Sequence, residues 1–163
     1  SSKITPLVLM GLVLLIAQII LGGWTSTNYA ALGCPDLPFC YGELWPSNMN
    51  MKEGFLKWQS FGQNYEGGQL TPPARTAIHF IHRLGALVLT FGFGLIILKY
   101  IGHQSEKVRI AAKLLAAALL AQLAIGVVMV WSSIALVLAT AHNAFAAILL
   151  LAFVNLMYTI KFR

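Results

Sequence analysis

Four long apolar stretches, roughly residues 6–24, 76–99, 110–131 and 134–160, constrain this chain more than any other feature. Each is close to the length of about 20 residues that a helix needs to cross a bilayer core. Only 10% of the 163 residues are charged and 58% are hydrophobic. An ordinary soluble domain carries about 25% charged residues, so the composition excludes that class. The expected fold class is an all-α integral membrane protein, a single domain over residues 1–163. It is a four-transmembrane-helix bundle with a long extracytoplasmic loop over about 25–75. Thr71-Pro72-Pro73 supplies a start for the second span, because prolines in the first turn lack only amide donors that no helical partner would use. The chain begins Ser-Ser-Lys, as a trimmed or partial sequence would. Residues 7–24 could form a signal-peptide core, but no A-x-A-like cleavage site follows them.

The net charge of +6 is unevenly placed. An even number of spans puts both termini on one side. There lie Lys3, Lys99, Lys107, Arg109, Lys113, Lys161 and Arg163 against a single acid, Glu106. On the other side Lys52, Lys57, Arg75 and Arg83 are balanced by Asp36, Glu43, Glu53 and Glu66. The positive-inside rule makes the first side cytoplasmic. Topology therefore accounts for the basic excess, and no nucleic-acid motif accompanies it.

That orientation places GCPDLPFCYG, residues 33–42, outside the cytoplasm, where disulfides persist. Trp24, Trp45, Trp58 and Trp131 fall on the same side. In the loop, Asn50 followed by Glu53 suggests a capping box. Met51, Phe55 and Trp58 would then share one helical face, against the membrane surface, over a pocket, or simply on a short loop helix.

The spans also repeat. AQIILG at 17–22 matches AQLAIG at 121–126, each placing a glutamine, Gln18 or Gln122, four residues before a glycine. HRLGALVLTF from His82 corresponds loosely to HNAFAAILLLAF from His142. The reading is two parallel helix-pair repeats related by an axis along the membrane normal. At about 1.5 Å rise per residue, His82 and His142 come out at matching depths beneath the extracytoplasmic surface. Two axial ligands of a haem need that match. The competing reading is hydrogen bonding across helix interfaces. Arg75 and Arg83 suit haem propionates, since a guanidinium fork matches a carboxylate. His79, three residues before His82, lines the pocket or bonds a propionate and is the second choice as ligand. Gly85, Gly92 and Gly94 allow close helix approach or room for a macrocycle. His103 sits in the cytoplasmic turn, solvated.

GGWTSTNYAALGCPDLPFCYGELWP at 22–46, NYEGG at 64–68 and ARTAIHFIHRLGA at 74–86 resemble the heme A synthase family, over nearly the whole chain. The similarity is strongest to the C-terminal half of proteobacterial members. It implies an oxidoreductase of eight transmembrane helices in two similar halves, converting the heme o methyl group to a formyl group. One half handles heme o; the other holds haem b. By this resemblance His82 and His142 ligate the haem iron, and Cys34 and Cys40 form a disulfide. The substrate half carries a glutamate three residues before its His-Arg pair, where this chain has His79. The resemblance thus points to the haem b-holding half, with no catalytic residue assigned. It also implies a bacterial inner-membrane location, with the termini cytoplasmic and the cysteine loop periplasmic. Implied partners are the bilayer, a complementary half or second copy, and an electron-transfer partner. Three alternatives remain: a bis-histidine electron-transfer cytochrome, a haem-stabilised assembly protein and a membrane thiol-quinone oxidoreductase. The last normally needs a CxxC pair and a second external pair, whereas five residues separate the only two cysteines here.

Overall fold

The computed structural model describes residues 4–56, 68–133 and 136–162. Trp58, Lys57, Glu66 and the 64–67 part of NYEGG lie outside the described residues, as do Lys3 and Arg163. Among the described residues five helices follow one another: α1 (Pro6–Thr27), α2 (Met51–Leu56), α3 (Pro72–Tyr100), α4 (Glu106–Trp131) and α5 (Leu136–Lys161). All but α2 are long and apolar enough to cross a membrane. Leu87, Phe91 and Leu98 of α3 stand exposed along one stripe, and Val13 and Ile20 do the same on α1. Side chains of this kind facing outward suit lipid as the surrounding medium. The molecule is a multi-pass bundle of four membrane-spanning helices.

α3 begins at Pro72, before its apolar stretch, because Pro72 and Pro73 occupy the first helical positions behind extended Thr71. Its 29 residues span about 43 Å at the helical rise, more than a bilayer core of about 30 Å. The excess carries the loop. α2 rests there through Gly54, whose missing side chain leaves room for the Ala74 carbonyl. The Trp24 indole N–H donates to the Gly54 carbonyl at 3.0 Å. The expected cap is half formed. Glu53 N–H donates to Asn50 Oδ1 at 3.0 Å. The Glu53 carboxylate, however, accepts from the Thr71 N–H and hydroxyl. Asn50 N–H goes instead to the Pro73 carbonyl. The cap therefore ties α2 to the start of α3. Phe55 is half-buried, packed against the Ala30, Leu70, Ala74 and Ile78 cluster, while Met51 is exposed.

The spanning helices pack in pairs, α1 with α3 and α4 with α5, with sparser contact between the pairs. This agrees with two helix-pair repeats. The main core lies toward the end that holds the termini. Phe93 of α3 and Phe153 of α5 stack there, ring centres 4.8 Å apart. Gly11 lets α1 approach them, since a Cβ would stand 2.6 Å from Ile96 Cδ1 and 3.0 Å from Phe153 Cζ. Toward the cysteine loop the bundle changes character. Gln18, Gly22, residues 81–86, Gln122, Gly126 and His142 are only half-buried.

Candidate functional site

One face of α3 holds the cysteine loop. Thr76, His79 and Arg83 recur at three- and four-residue spacing, so they line up along the helix. The Thr76 hydroxyl donates to the Gly33 carbonyl at 2.9 Å. His79, 5% exposed, accepts the Cys34 N–H at Nδ1, 3.0 Å away. The Arg83 guanidinium donates to the carbonyls of Cys34, Asp36 and Phe39. Gly33 makes this approach possible, since a Cβ there would collide with the Arg75 carbonyl. Cys34 and Cys40 form a disulfide, are 0% and 1% exposed, and pack on Phe80. Trp45 meets Phe80 edge-on at 5.1 Å. At the loop's surface the Asp36 carboxylate accepts the N–H groups of Tyr41 and Gly42. Chiefly through Gly42, with help from Tyr41 and the Arg83 charge, its pKa is held below the ordinary 3.8.

Arg75 faces the segment leading into α3. Its Nε donates to the Leu70 carbonyl at 3.0 Å and its terminal nitrogen to the Gly68 carbonyl at 3.3 Å. In the short turn between α3 and α4, His103 Nδ1 accepts the Ser105 N–H at 3.0 Å; the ring is half-buried and helps shape the turn. His79, Arg75 and Arg83 thus have backbone partners that sequence reasoning missed. These contacts span 43 to 49 residues of chain for the loop clamp, and helical periodicity carries no signal of them.

His82 and His142 occupy a different layer. His82 Nδ1 lies 3.1 Å from Gln18 Nε2, and its ring sits over Gly22, where a Cβ would stand 3.4 Å from Cε1. His142 Nε2 lies 3.3 Å from Gln122 Nε2, and its ring sits over Gly126 with the corresponding distance 3.1 Å. In each helix pair, the first helix supplies a glutamine and, one turn later, a glycine notch for the imidazole of the second. The sequence repeat is therefore also a repeat of contacts. The two imidazoles lie within electrostatic reach of one another.

The chemistry of these donors fits a bis-histidine haem. Among the described residues His82 Nε2 makes no hydrogen bond, whereas His142 Nε2 is engaged by Gln122 and would have to be released, its Nδ1 being buried without a partner. Neutral imidazoles on opposing helix pairs can address one iron from two sides. Among the described residues no cluster of three or more His, Cys, Asp or Glu is placed to hold a metal ion. A macrocycle-bound iron asks the protein for only two ligands. Arg83 Nε is buried and unpartnered, although the rest of its guanidinium holds the loop.

A match to the family described as cytochrome oxidase assembly protein, COX15-CtaA, extends over residues 1–154. The chain is 39% identical over 157 residues to a protein of Shewanella oneidensis called heme A synthase. The alignment covers 96% of this chain and 47% of that relative, so the chain spans about half the relative's length. No solved structure matches the chain. On the match over residues 1–154, the chain belongs to the COX15-CtaA/heme A synthase family.

Proposed function

We propose that this chain is the haem b-holding four-helix half of a heme A synthase, with His82 and His142 as the axial ligands. The observation that supports the reading is the duplicated glutamine–glycine–histidine arrangement, which holds one imidazole in each helix pair in a half-buried layer. The polar side chains of that layer are costly within a membrane and mark function by default. Bound there, haem b supplies a one-electron redox centre whose potential the protein sets through its axial ligands. Arg83 Nε and Arg75 would give the propionates positive surroundings at the loop end. His79, by holding the Cys34 N–H, keeps the disulfide loop closed over that end. The buried disulfide is structural in this reading.

The whole enzyme oxidises the methyl group of heme o to a formyl group, and it needs the complementary four-helix half, or a second copy, to do so. The termini face the cytoplasm of a bacterium, and the cysteine loop faces the periplasm. His79 stands where the substrate half would carry a glutamate, and its bond to Cys34 favours the haem-holding role. The same observation favours the second reading, a bis-histidine electron-transfer cytochrome that performs no substrate oxidation. Burial of both sulfurs disfavours a thiol-quinone oxidoreductase, whose cysteines must be reached by a partner.

Conversion of heme o to heme A, followed by pigment chromatography, tests the proposal. The chain alone should form little heme A, and the chain with its complementary half should form it readily. Efficient conversion by the chain alone would overturn the support-half assignment. A haem-loaded but inactive reconstituted pair would favour the cytochrome reading.

A further inference from the structure

The two pseudo-equivalent glutamines meet their histidines at different nitrogens. Gln18 Nε2 reaches Nδ1 of His82 at 3.1 Å and also donates to the His82 carbonyl at 3.0 Å. This ring is gripped at the nitrogen away from a metal, and Nε2 is left open. Gln122 Nε2 instead lies 3.3 Å from Nε2 of His142, the nitrogen that would have to coordinate. The Gln18 amide is also enclosed: its Oε1 lies against Gly85, where any Cβ would collide with it. Both glutamine Oε1 atoms are buried without hydrogen-bond partners.

Resting on the haem reading above, we infer that Gln18 is a positioning residue that pre-sets His82 as the first haem ligand, whereas Gln122 is a place-holder that must leave His142 before it ligates. A metal at Nε2 leaves the ring proton on Nδ1, so the partner at Nδ1 must accept it. Partners of this kind orient a ligating imidazole and raise its basicity. A primary amide has a donor at one corner and an acceptor at the other. A half-turn of Gln18 brings the unpartnered Oε1 to the Nδ1 proton, and it gives up the bond that Nε2 donates to the His82 carbonyl, so the amide must also draw back from that oxygen. At His142 the same amide chemistry competes with the iron for one nitrogen. Two matching sequence positions therefore have opposite effects on haem uptake.

The test uses the purified chain, titrated with haem and then examined for affinity, midpoint potential and low-spin electron paramagnetic resonance g-values. In Q18L affinity should fall 10- to 100-fold, the range for loss of such a partner, and the potential should rise because the ring is a weaker donor. Q18E should retain haem with a potential below wild type, since a carboxylate accepts the Nδ1 proton more strongly. Q122L should bind haem at least as tightly as wild type. Equal losses in Q18L and Q122L, or an unchanged potential and g-values in Q18L, would overturn the inference and leave the haem reading standing. If Q18L does not accumulate, Q18E decides alone: a potential at or above wild type overturns the inference. A wild-type chain that takes up no haem would defeat the underlying reading and this inference with it.

Discussion

His79 shows how one residue can be conspicuous in a sequence for one reason and placed for another. An imidazole within a span, three residues from His82, reads as a pocket residue. In the folded chain its Nδ1 accepts the Cys34 N–H, so it serves the loop. His79→Ala leaves that N–H buried and unpaired, which costs about 1–3 kcal/mol. Thermal unfolding in detergent should show the loss, while bound haem stays at the wild-type level. Haem loss as severe as in His82→Ala would contradict the assignment. Asp36 gives a second prediction at this scale. Its folded-state pKa lies below 3.8, so the loop contact is fully present above that value and is lost as pH falls through the lower folded value. The Gly42 amide resonance, followed against pH, should titrate with a midpoint below 3.8, and Asp36→Asn should abolish that titration.

Helices carry one part of the account and the loop another. Gly33 lies where the loop backbone touches α3, and Gly33→Ala would drive a Cβ into the Arg75 carbonyl. Overpacking of this kind costs about 1–3 kcal/mol. The variant should unfold at lower temperature, and its disulfide should be reduced faster; an unchanged reduction rate would show that the loop does not depend on this approach. The spans were legible because charged groups are scarce in them, and the same scarcity made Gln18, Gln122, His82 and His142 stand out. The pairing of the helices was legible in outline from the repeat of a glutamine four residues before a glycine, whereas the contact of each glutamine with a histidine was not. The grip of Thr76, His79 and Arg83 on residues 33–39 was not. It depends on how a proline-containing loop folds back over 43 to 49 residues, and no helical period encodes that. The start of α3 at Pro72 was legible in Thr71-Pro72-Pro73, because prolines fit a first helical turn, although hydropathy by itself marks only the membrane segment that follows.

Across the whole molecule, two helix pairs join through a core near the termini and are less closely packed toward the loop, where each pair holds one of the two imidazoles. The disulfide loop, clamped to α3, lies at that same end. The charge split predicts that this end is outside the cytoplasm. A cysteine placed at exposed Asn48 should react with a membrane-impermeant thiol reagent from the periplasmic face, and labelling only from the cytoplasmic face would reverse the topology. The chain aligns with 47% of its heme A synthase relative, and the complementary half proposed above would complete the bundle. The central claim concerns the two histidines and is open to direct measurement. Purified from cells with ample haem, the chain should give the reduced-minus-oxidised spectrum of a low-spin b-type haem, and the extracted pigment should be haem b. His82→Ala and His142→Ala should each lose that low-spin spectrum. Its full retention in both variants, or the absence of haem from the wild-type chain, would contradict the account.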